Sequence, residues 1–191
     1  MRKIITTIMI FIFAISFGQK TNQIKLYSGF VKGDYIPSQD LDGAGLSNSF
    51  KTNEIGIRYN KKISKIFRIE TGINYFSSEI IIESAPMPEI STFKDNLQLA
   101  TIPLSLITEF WKYFYVNSGV LIDFQTKDSK YLDSQSGIGF VLGLGAKYEY
   151  KDFIFYLNPE IRRHRLIGFK SEKYPEFLIN STIQLGLGYN F

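Results

Sequence analysis

The chain has 191 residues, a formal net charge of +4 at pH 7 and no cysteine. This length suits a single domain, and the lack of cysteine excludes both a disulfide framework and an anchor attached through a lipidated cysteine. Hydrophobic residues make up 45% of the chain, yet lysine and arginine are scattered without forming a basic stripe. The composition therefore does not indicate a nucleic-acid partner.

The N-terminal residues predict export. A basic start precedes an apolar run, residues 4–17, which is followed by Gly18. Positive charge, an apolar run and a small residue in this order are the pattern of a cleaved signal peptide, and the run is shorter than the roughly 18 residues that a spanning helix needs. We expect a signal peptide over residues 1–18 and one mature domain over residues 19–191.

The first half of the mature chain contains four runs in which polar and apolar residues alternate, as is typical of β-strands. These runs cover residues 24–32, 52–60, 66–77 and 97–108. Pro103 lies inside the fourth run, where it cannot donate a ladder hydrogen bond. We expect a bulge or another local irregularity at this proline.

Alternation is clearer in the second half of the chain. Every second residue from Phe114 to Phe124 shares one largely apolar face, whereas Asn117 and Asp123 lie on the opposite face. Three further runs cover residues 137–149, 153–163 and 177–191. The sequence therefore predicts eight strands, and an even number is expected of a closed bacterial barrel.

The connecting segments alternate in length. Three are short, residues 60–65, 109–113 and 150–152, and four are longer and polar, residues 33–51, 78–96, 126–136 and 164–176. Because a closed barrel satisfies its backbone groups in lipid without any long apolar segment, the pattern predicts an all-β fold. We expect a single antiparallel up-and-down transmembrane β-barrel of eight strands, with short periplasmic turns and long extracellular loops. The alternative, a secreted soluble barrel, would turn its large apolar side chains inward.

The inward faces of the predicted strands carry charges of both signs in similar numbers. An eight-stranded barrel is just wide enough to be filled by side chains, and unpaired charges inside it would be costly. We therefore expect a plugged lumen with mutually paired charges. The expected lumen network comprises Glu54, Arg58, Arg68, Glu70, Asp123, Lys147, Glu149, Glu160 and Arg162, with the amides Asn74, Asn117, Asn158 and Gln184.

The last strand places Leu187, Tyr189 and Phe191 at every second position. This end is similar to the C-terminal signal by which outer-membrane barrels are recognised for assembly. The resemblance implies that these three residues form an assembly signal and that the barrel assembly machinery is a partner.

Four stretches extend the resemblance to a family. They are residues 67–75, residues 99–106 with the spacing L-x-x-I-P-L-x-L, residues 115–119, and residues 186–191. Together they resemble the outer-membrane β-barrel domain family that is widespread in Bacteroidetes and includes the PorT-like proteins. The resemblance implies an outer-membrane barrel and an accessory role in an envelope complex or secretion system.

Three motifs mimic chemical sites without the required context. Gly137 and Gly139, with Gly143, imitate a dinucleotide fingerprint, but they lie on one face of a strand and no helix follows. Residues 40–43 open like a calcium loop, but Lys51 stands where a bidentate glutamate should be. The sequon at residues 180–182 falls within a strand. We expect no cofactor, no metal and no catalytic residues.

His164 is the only histidine, and the sequence places it at the start of a long loop. Lipid A deacylases of the outer membrane use a histidine followed two residues later by a serine, where this chain has Leu166. Arginine occupies positions 162, 163 and 165 around the histidine. These cations favour a surface role near acidic lipopolysaccharide groups, with a solvated loop base as the plainer alternative.

The leading functional hypothesis is a non-enzymatic envelope anchor or binding scaffold in the outer membrane. Its working surface would be the long loops or the lipid face, and its partners would be outer-membrane lipid, lipopolysaccharide or another envelope protein. The alternative is a small-solute transport barrel or a lipid-directed enzyme that uses Asp123, Glu149, Glu160 or His164.

Overall fold

The computed structural model describes residues 21–37, 49–83, 92–127, 133–170 and 176–191. These residues form eight antiparallel strands in which each strand pairs with the next and the last pairs with the first. The strands are β1 (Asn22–Pro37), β2 (Ser49–Lys62), β3 (Phe67–Glu83), β4 (Thr92–Phe110), β5 (Phe114–Gln125), β6 (Gly137–Tyr150), β7 (Phe153–Gly168) and β8 (Glu176–Asn190). The closed up-and-down β-barrel predicted from the sequence is confirmed.

Two predicted features lie outside the described residues. They are the signal peptide over residues 1–18 and the calcium-like stretch over residues 40–43. In the part of the chain that is described, no helix is long and apolar enough to cross a membrane.

Side-chain orientation in the barrel is the reverse of that in a soluble barrel. In β7, Phe155 faces outward and is 51% exposed, whereas Asn158 faces the lumen and is 3% exposed. The same alternation places apolar side chains outside and polar side chains inside along the other strands. A lipid-facing surface and a polar interior are the pattern of transmembrane barrels, so the soluble alternative is wrong.

Several strands extend further towards the long-loop end than the alternation indicated. β3 and β4 continue to pair from Ser77–Gln98 up to Glu83–Thr92. The ladders on their other sides stop earlier. The β2–β3 ladder ends at Phe76, and the β4–β5 ladder ends at Leu99. We call the continued part, residues 77–83 and 92–98, the β3–β4 extension.

The predicted irregularity at Pro103 is a gap in the ladder and not a bulge. The β3–β4 ladder omits Ile102 and Pro103 and resumes in the same register. A register shift occurs between β6 and β7, where Gly139 faces three residues of β7 between Arg163 and Ile167. Arg165, in the middle of the three, has a φ of 51°. Because of this bulge, the consecutive residues His164 and Arg165 are both buried in the lumen.

Candidate functional site

The lumen is the part of the molecule in which polar and charged side chains concentrate. They form three groups along the barrel axis. The central network comprises Lys25, Tyr27, Glu54, Arg58, Glu70, Asn74, Asn117, Asn158, Glu160, Arg162 and Gln184. The short-turn group comprises Arg68, Glu109, Lys147 and Glu149, and the long-loop group comprises Thr101, Asp123, Asp133, Gln135, His164, Arg165 and Asn180.

Glu54 and Arg162 form the main cross-lumen contact of the central network. Arg162 donates from Nη1 to Oε2 of Glu54 at 2.6 Å and from Nη2 to Oε1 at 3.0 Å. Tyr27 donates its hydroxyl to the same carboxylate at 2.6 Å, and Asn74 donates its amide at 2.8 Å. Both oxygens of a fully buried carboxylate are thereby satisfied, as a buried charge requires.

Glu160 is satisfied in the same manner from four side chains. Arg162 donates from Nε at 2.9 Å, and the amides of Asn117, Asn158 and Gln184 donate at 3.0, 2.7 and 3.2 Å. Arg162 therefore bridges two carboxylates that come from β2 and from its own strand. The three strands that supply these donors, β5, β7 and β8, are held together through one carboxylate.

Glu70 is the third carboxylate of the central network. Lys25 Nζ lies 3.4 Å from Oε2, and Arg58 Nε lies 3.6 Å from Oε1. The ammonium of Lys25 also faces two aromatic rings, at 4.9 Å from the centre of Tyr156 and 5.4 Å from that of Tyr115. Ion pairing and cation–π contact both act on this buried lysine. With it, the central network holds three carboxylates against three cations.

Tyrosine and glycine pair repeatedly on the lumen wall. The cross-strand neighbours are Tyr27 with Gly56, Tyr115 with Gly145, and Tyr156 with Gly186. A Cβ atom added at any of these glycines would overlap the ring of its tyrosine partner. The glycines therefore make room for large side chains that lie across them.

The long-loop group contains a buried histidine with two side-chain partners. His164 Nδ1 lies 2.8 Å from Oδ2 of Asp123, and the amide nitrogen of Asn180 lies 2.9 Å from Nε2. Thr101 donates to the other oxygen of Asp123 at 2.7 Å. A neutral ring that carries its proton on Nδ1 satisfies both contacts. The expectation of a solvated or surface histidine in a loop is wrong, because β7 continues to Gly168 and His164 keeps the inward parity of Glu160 and Arg162.

Residues 133–136 are tied to the start of β8 at the mouth of the barrel. The fully buried Gln135 donates to the backbone oxygen of Glu176 at 3.2 Å and accepts from the backbone nitrogen of Leu178 at 3.0 Å. Arg165 donates to the same oxygen of Glu176 at 3.1 Å and lies 3.5 Å from a carboxylate oxygen of Asp133. The bulge therefore supplies a contact to this mouth segment as well.

The short-turn group is centred on Glu109. Arg68 donates to its carboxylate at 2.8 Å, and Lys147 lies 2.5 Å from the same oxygen. Lys147 also reaches Glu149 at 2.8 Å. The structure places Glu149 at the rim of the barrel, where its side chain is 37% exposed. The other eight charges of the expected network lie inside the barrel.

Two charged members of the central network and the short-turn group were missed from the sequence, Lys25 and Glu109. Lys25 lies two positions before Tyr27, and Glu109 lies two positions after Ile107, so each keeps the inward parity of its strand. The alternation of inward and outward positions along each strand could have identified both residues from the sequence.

The carboxylates considered for catalysis do not converge. Asp123 lies in the long-loop group, Glu160 in the central network and Glu149 at the opposite rim. Within the described residues, no cluster of His, Asp or Glu side chains could hold a metal ion. Gly137 and Gly139 lie on the inner face of β6, which continues as a strand.

The residues of the expected assembly signal lie along the seam between β8 and its neighbours. Leu187 and Tyr189 face outward. Phe191 exchanges two backbone hydrogen bonds with Asn22, at 2.9 and 3.1 Å. Their role in assembly remains a prediction.

Comparisons with known proteins agree with this architecture. A family model described as "Outer membrane protein beta-barrel domain" matches residues 8–191. No curated protein matches the sequence. The outer membrane protein OprG from Pseudomonas aeruginosa has a similar structure, with 13% identity, a TM-score of 0.57, and coverage of 91% of this chain and 98% of that chain.

Two more distant structures are also similar. Ail, the attachment invasion locus protein of Yersinia pestis, shares 9% identity over 90% of this chain and 99% of that chain, with a TM-score of 0.47. The outer membrane protease OmpT from Escherichia coli shares 9% identity over 90% and 97%, with a TM-score of 0.46. At such identities, structural likeness describes the fold alone.

Proposed function

We propose, from the premise that this chain belongs to the outer membrane protein beta-barrel domain family, that it is a non-enzymatic outer-membrane scaffold. Its lumen would be filled by its own paired side chains, and its long-loop end would bind a partner protein of the envelope. The proposal has three parts: a filled interior, no catalytic site, and a binding edge outside the barrel.

The balance of charge supports a filled interior. In the central network, Glu54, Glu70 and Glu160 are matched by Lys25, Arg58 and Arg162. Eight strands enclose a space that side chains alone can fill, and a passing ion would have to displace one of these buried pairs at a large cost. This arrangement favours a structural interior over a solute path.

The surroundings of His164 support the absence of catalysis. A nucleophile activated by a histidine must lie within hydrogen-bond reach of the ring. Here the two ring nitrogens face the carboxylate of Asp123 and the amide of Asn180. The ring is fully buried, and the nearby hydroxyl of Thr101 donates to Asp123 instead.

The β3–β4 extension is the observation that carries the scaffold proposal. Above Ser77, whose backbone oxygen accepts a hydrogen bond of 2.7 Å from the hydroxyl of Thr52, β3 has no ladder partner on its β2 side among the described residues. Above Gln98, which accepts a hydrogen bond from the backbone of Thr126, β4 likewise has no ladder partner on its β5 side in those residues. Open strand edges of this kind are templates for an added strand.

Charge on the extension favours a specific partner over self-association. Glu79 and Lys94 form an exposed ion pair of 2.7 Å on the extension. Charged side chains near an open edge discourage unspecific edge-to-edge pairing. We therefore propose that the edge pairs with an extended segment of an envelope protein.

Purification from native outer membranes in mild detergent tests the proposal, with identification of any protein that accompanies the barrel. A variant in which a short turn replaces residues 79–94 should keep heat-modifiable migration and lose the identified partner. A control variant with a shortened connection over residues 169–175 should retain it. Recovery of the isolated monomer alone, or a partner that survives removal of the extension, would contradict the proposal.

A further inference from the structure

A pair of lysines lies on the outer surface, at the upper edge of the apolar belt. Lys32 of β1 and Lys51 of β2 are direct partners in the β1–β2 ladder, and both side chains are exposed. Ser181 of β8 is the partner of Lys32 on the other side. Directly opposed side chains on one face of a sheet are close neighbours, so two like charges here repel each other.

Neither ammonium group takes part in an ion pair or a side-chain hydrogen bond among the described residues, and the acidic residue on the same face, Asp34, lies one step further towards the long-loop end. Three other lysines of the barrel form ion pairs: Lys25 pairs with Glu70, Lys94 with Glu79, and Lys147 with Glu109. A repulsive pair without a protein partner at a membrane surface indicates an external anion.

The surface next to the lysines, towards the middle of the barrel, is apolar. A groove of about 520 Å³ opens between β8, β1 and β2 and is lined by Phe30, Lys32, Lys51, Asn53, Ser181 and Ile183, among others. Phe30 and Ile183 are exposed on the lipid face one step below the lysines. Cations and hydrogen-bonding groups above, with apolar side chains below, match a lipid whose headgroup is anionic.

The position of the two lysines along the barrel axis indicates which leaflet of the membrane they contact. Both lysines lie at the long-loop end of their strands, which is the extracellular end of the barrel. At this level the headgroups of the outer leaflet contact the barrel wall, and phosphate is the anion that lysine binds as a point charge.

A third cation extends the basic surface along the same face. Arg163 of β7 is exposed, and its guanidinium carbon lies 4.3 Å from the centre of the Phe177 ring. Stacking on a ring holds the guanidinium close to the barrel wall. This face therefore carries three cations from β7 to β2, with the acidic Asp34 between Arg163 and the lysines.

We infer that Lys32 and Lys51 form a binding site for a phosphate group of the outer-leaflet glycolipid. Ser181 and Asn53 add hydrogen-bonding groups, and Phe30 and Ile183 contact the acyl chains. The site goes beyond the proposed function, because it lies on the lipid face and requires neither the β3–β4 extension nor a protein partner.

Binding of purified diphosphorylated lipid A to the folded protein in detergent, measured by native mass spectrometry, tests this site. The variant K32Q/K51Q should bind about tenfold more weakly than the wild type, because two favourable charge contacts are lost. The control variant K61Q/K62Q removes the same charge at the short-turn end and should bind like the wild type. K32R/K51R should retain binding, and heat-modifiable migration shows that each variant is folded.

A second arm separates phosphate recognition from acyl-chain binding. Dephosphorylated lipid A should bind the wild type no better than intact lipid A binds K32Q/K51Q. Equal binding of the two lipids by the wild type, or equal binding of intact lipid A by K32Q/K51Q and the wild type, would overturn the inference. Displacement of lipid A by low millimolar inorganic phosphate would also overturn it, because the site would then recognise free phosphate.

Discussion

Glu54 and Arg162 meet across the lumen in a two-bond fork although 108 residues separate them in the chain. Neither side chain contacts bulk solvent to any extent. Removing one partner from such a pair leaves an unpaired buried charge, whereas removing both leaves none.

The first prediction follows from this fork. R162M or E54L alone should lower the free energy of unfolding by about 3–5 kcal/mol, and the double variant should lose clearly less than the sum. Urea-induced unfolding in lipid vesicles measures these changes. E79L and K94M, which remove an exposed ion pair, provide the comparison and should each cost at most about 1 kcal/mol. Additive losses in the double variant would show that the two residues act independently.

The second prediction concerns the buried histidine. H164A should destabilise the barrel by about 1–3 kcal/mol, because Asp123 and Asn180 each lose a hydrogen-bond partner in the lumen. The outward-facing S118A should change stability by no more than about 0.5 kcal/mol. The same unfolding assay compares them. If H164A were as stable as S118A, water would be replacing the imidazole in the lumen.

The third prediction concerns the tyrosine–glycine pairs. G145A should cost about 1–3 kcal/mol, because its methyl group would overlap the ring of Tyr115 and force it to move. A146V, at the adjacent outward position, directs its extra volume towards lipid and should be tolerated. The additional replacement Y115A should make G145A less harmful. If it does not, backbone effects rather than the ring explain the loss.

The fourth prediction concerns permeability. Purified wild-type protein should show no conductance steps of porin size in planar lipid bilayers, because paired side chains occupy the lumen. A variant with R58A and R162A, confirmed to be folded by heat-modifiable migration, should leak more than the wild type. Porin-sized steps from the wild type would refute the filled lumen and favour the transport alternative.

The sequence predicted the barrel and the inward faces well because both depend on local alternation. Asp123 and Glu160 lie inside the barrel as their parity indicated. The end of β3 was placed too early, because residues 80–82 are three consecutive isoleucines without alternation, and the start of β4 was placed too late. There the strand continues because β3 and β4 pair with each other, and this pairing leaves no periodic pattern in either segment.

The partners of the lumen charges could not be predicted from the sequence, for a different reason. His164 and Arg165 are consecutive, so alternation would place only one of them inside. His164 keeps the alternation of β7, and the bulge turns Arg165 inward beside it. Arg165 has a positive φ, where glycine is the usual sequence signal, and Gly139 on the facing strand is an indirect hint. Which acid meets which base depends on residues far apart in sequence.

The span of 108 residues between Glu54 and Arg162 also bears on the order of assembly. A sheet that contained β1 to β6 alone would bring Glu54 to the bilayer without its guanidinium and Asp123 without its imidazole. In such an intermediate Glu54 would keep only Tyr27 and Asn74 as donors, and Asp123 only Thr101. Its insertion would place incompletely paired carboxylates in a medium of low dielectric constant. The arrival of β7 supplies both partners at once. We therefore expect membrane insertion to be favoured only after β7 has joined the sheet and completed these pairs.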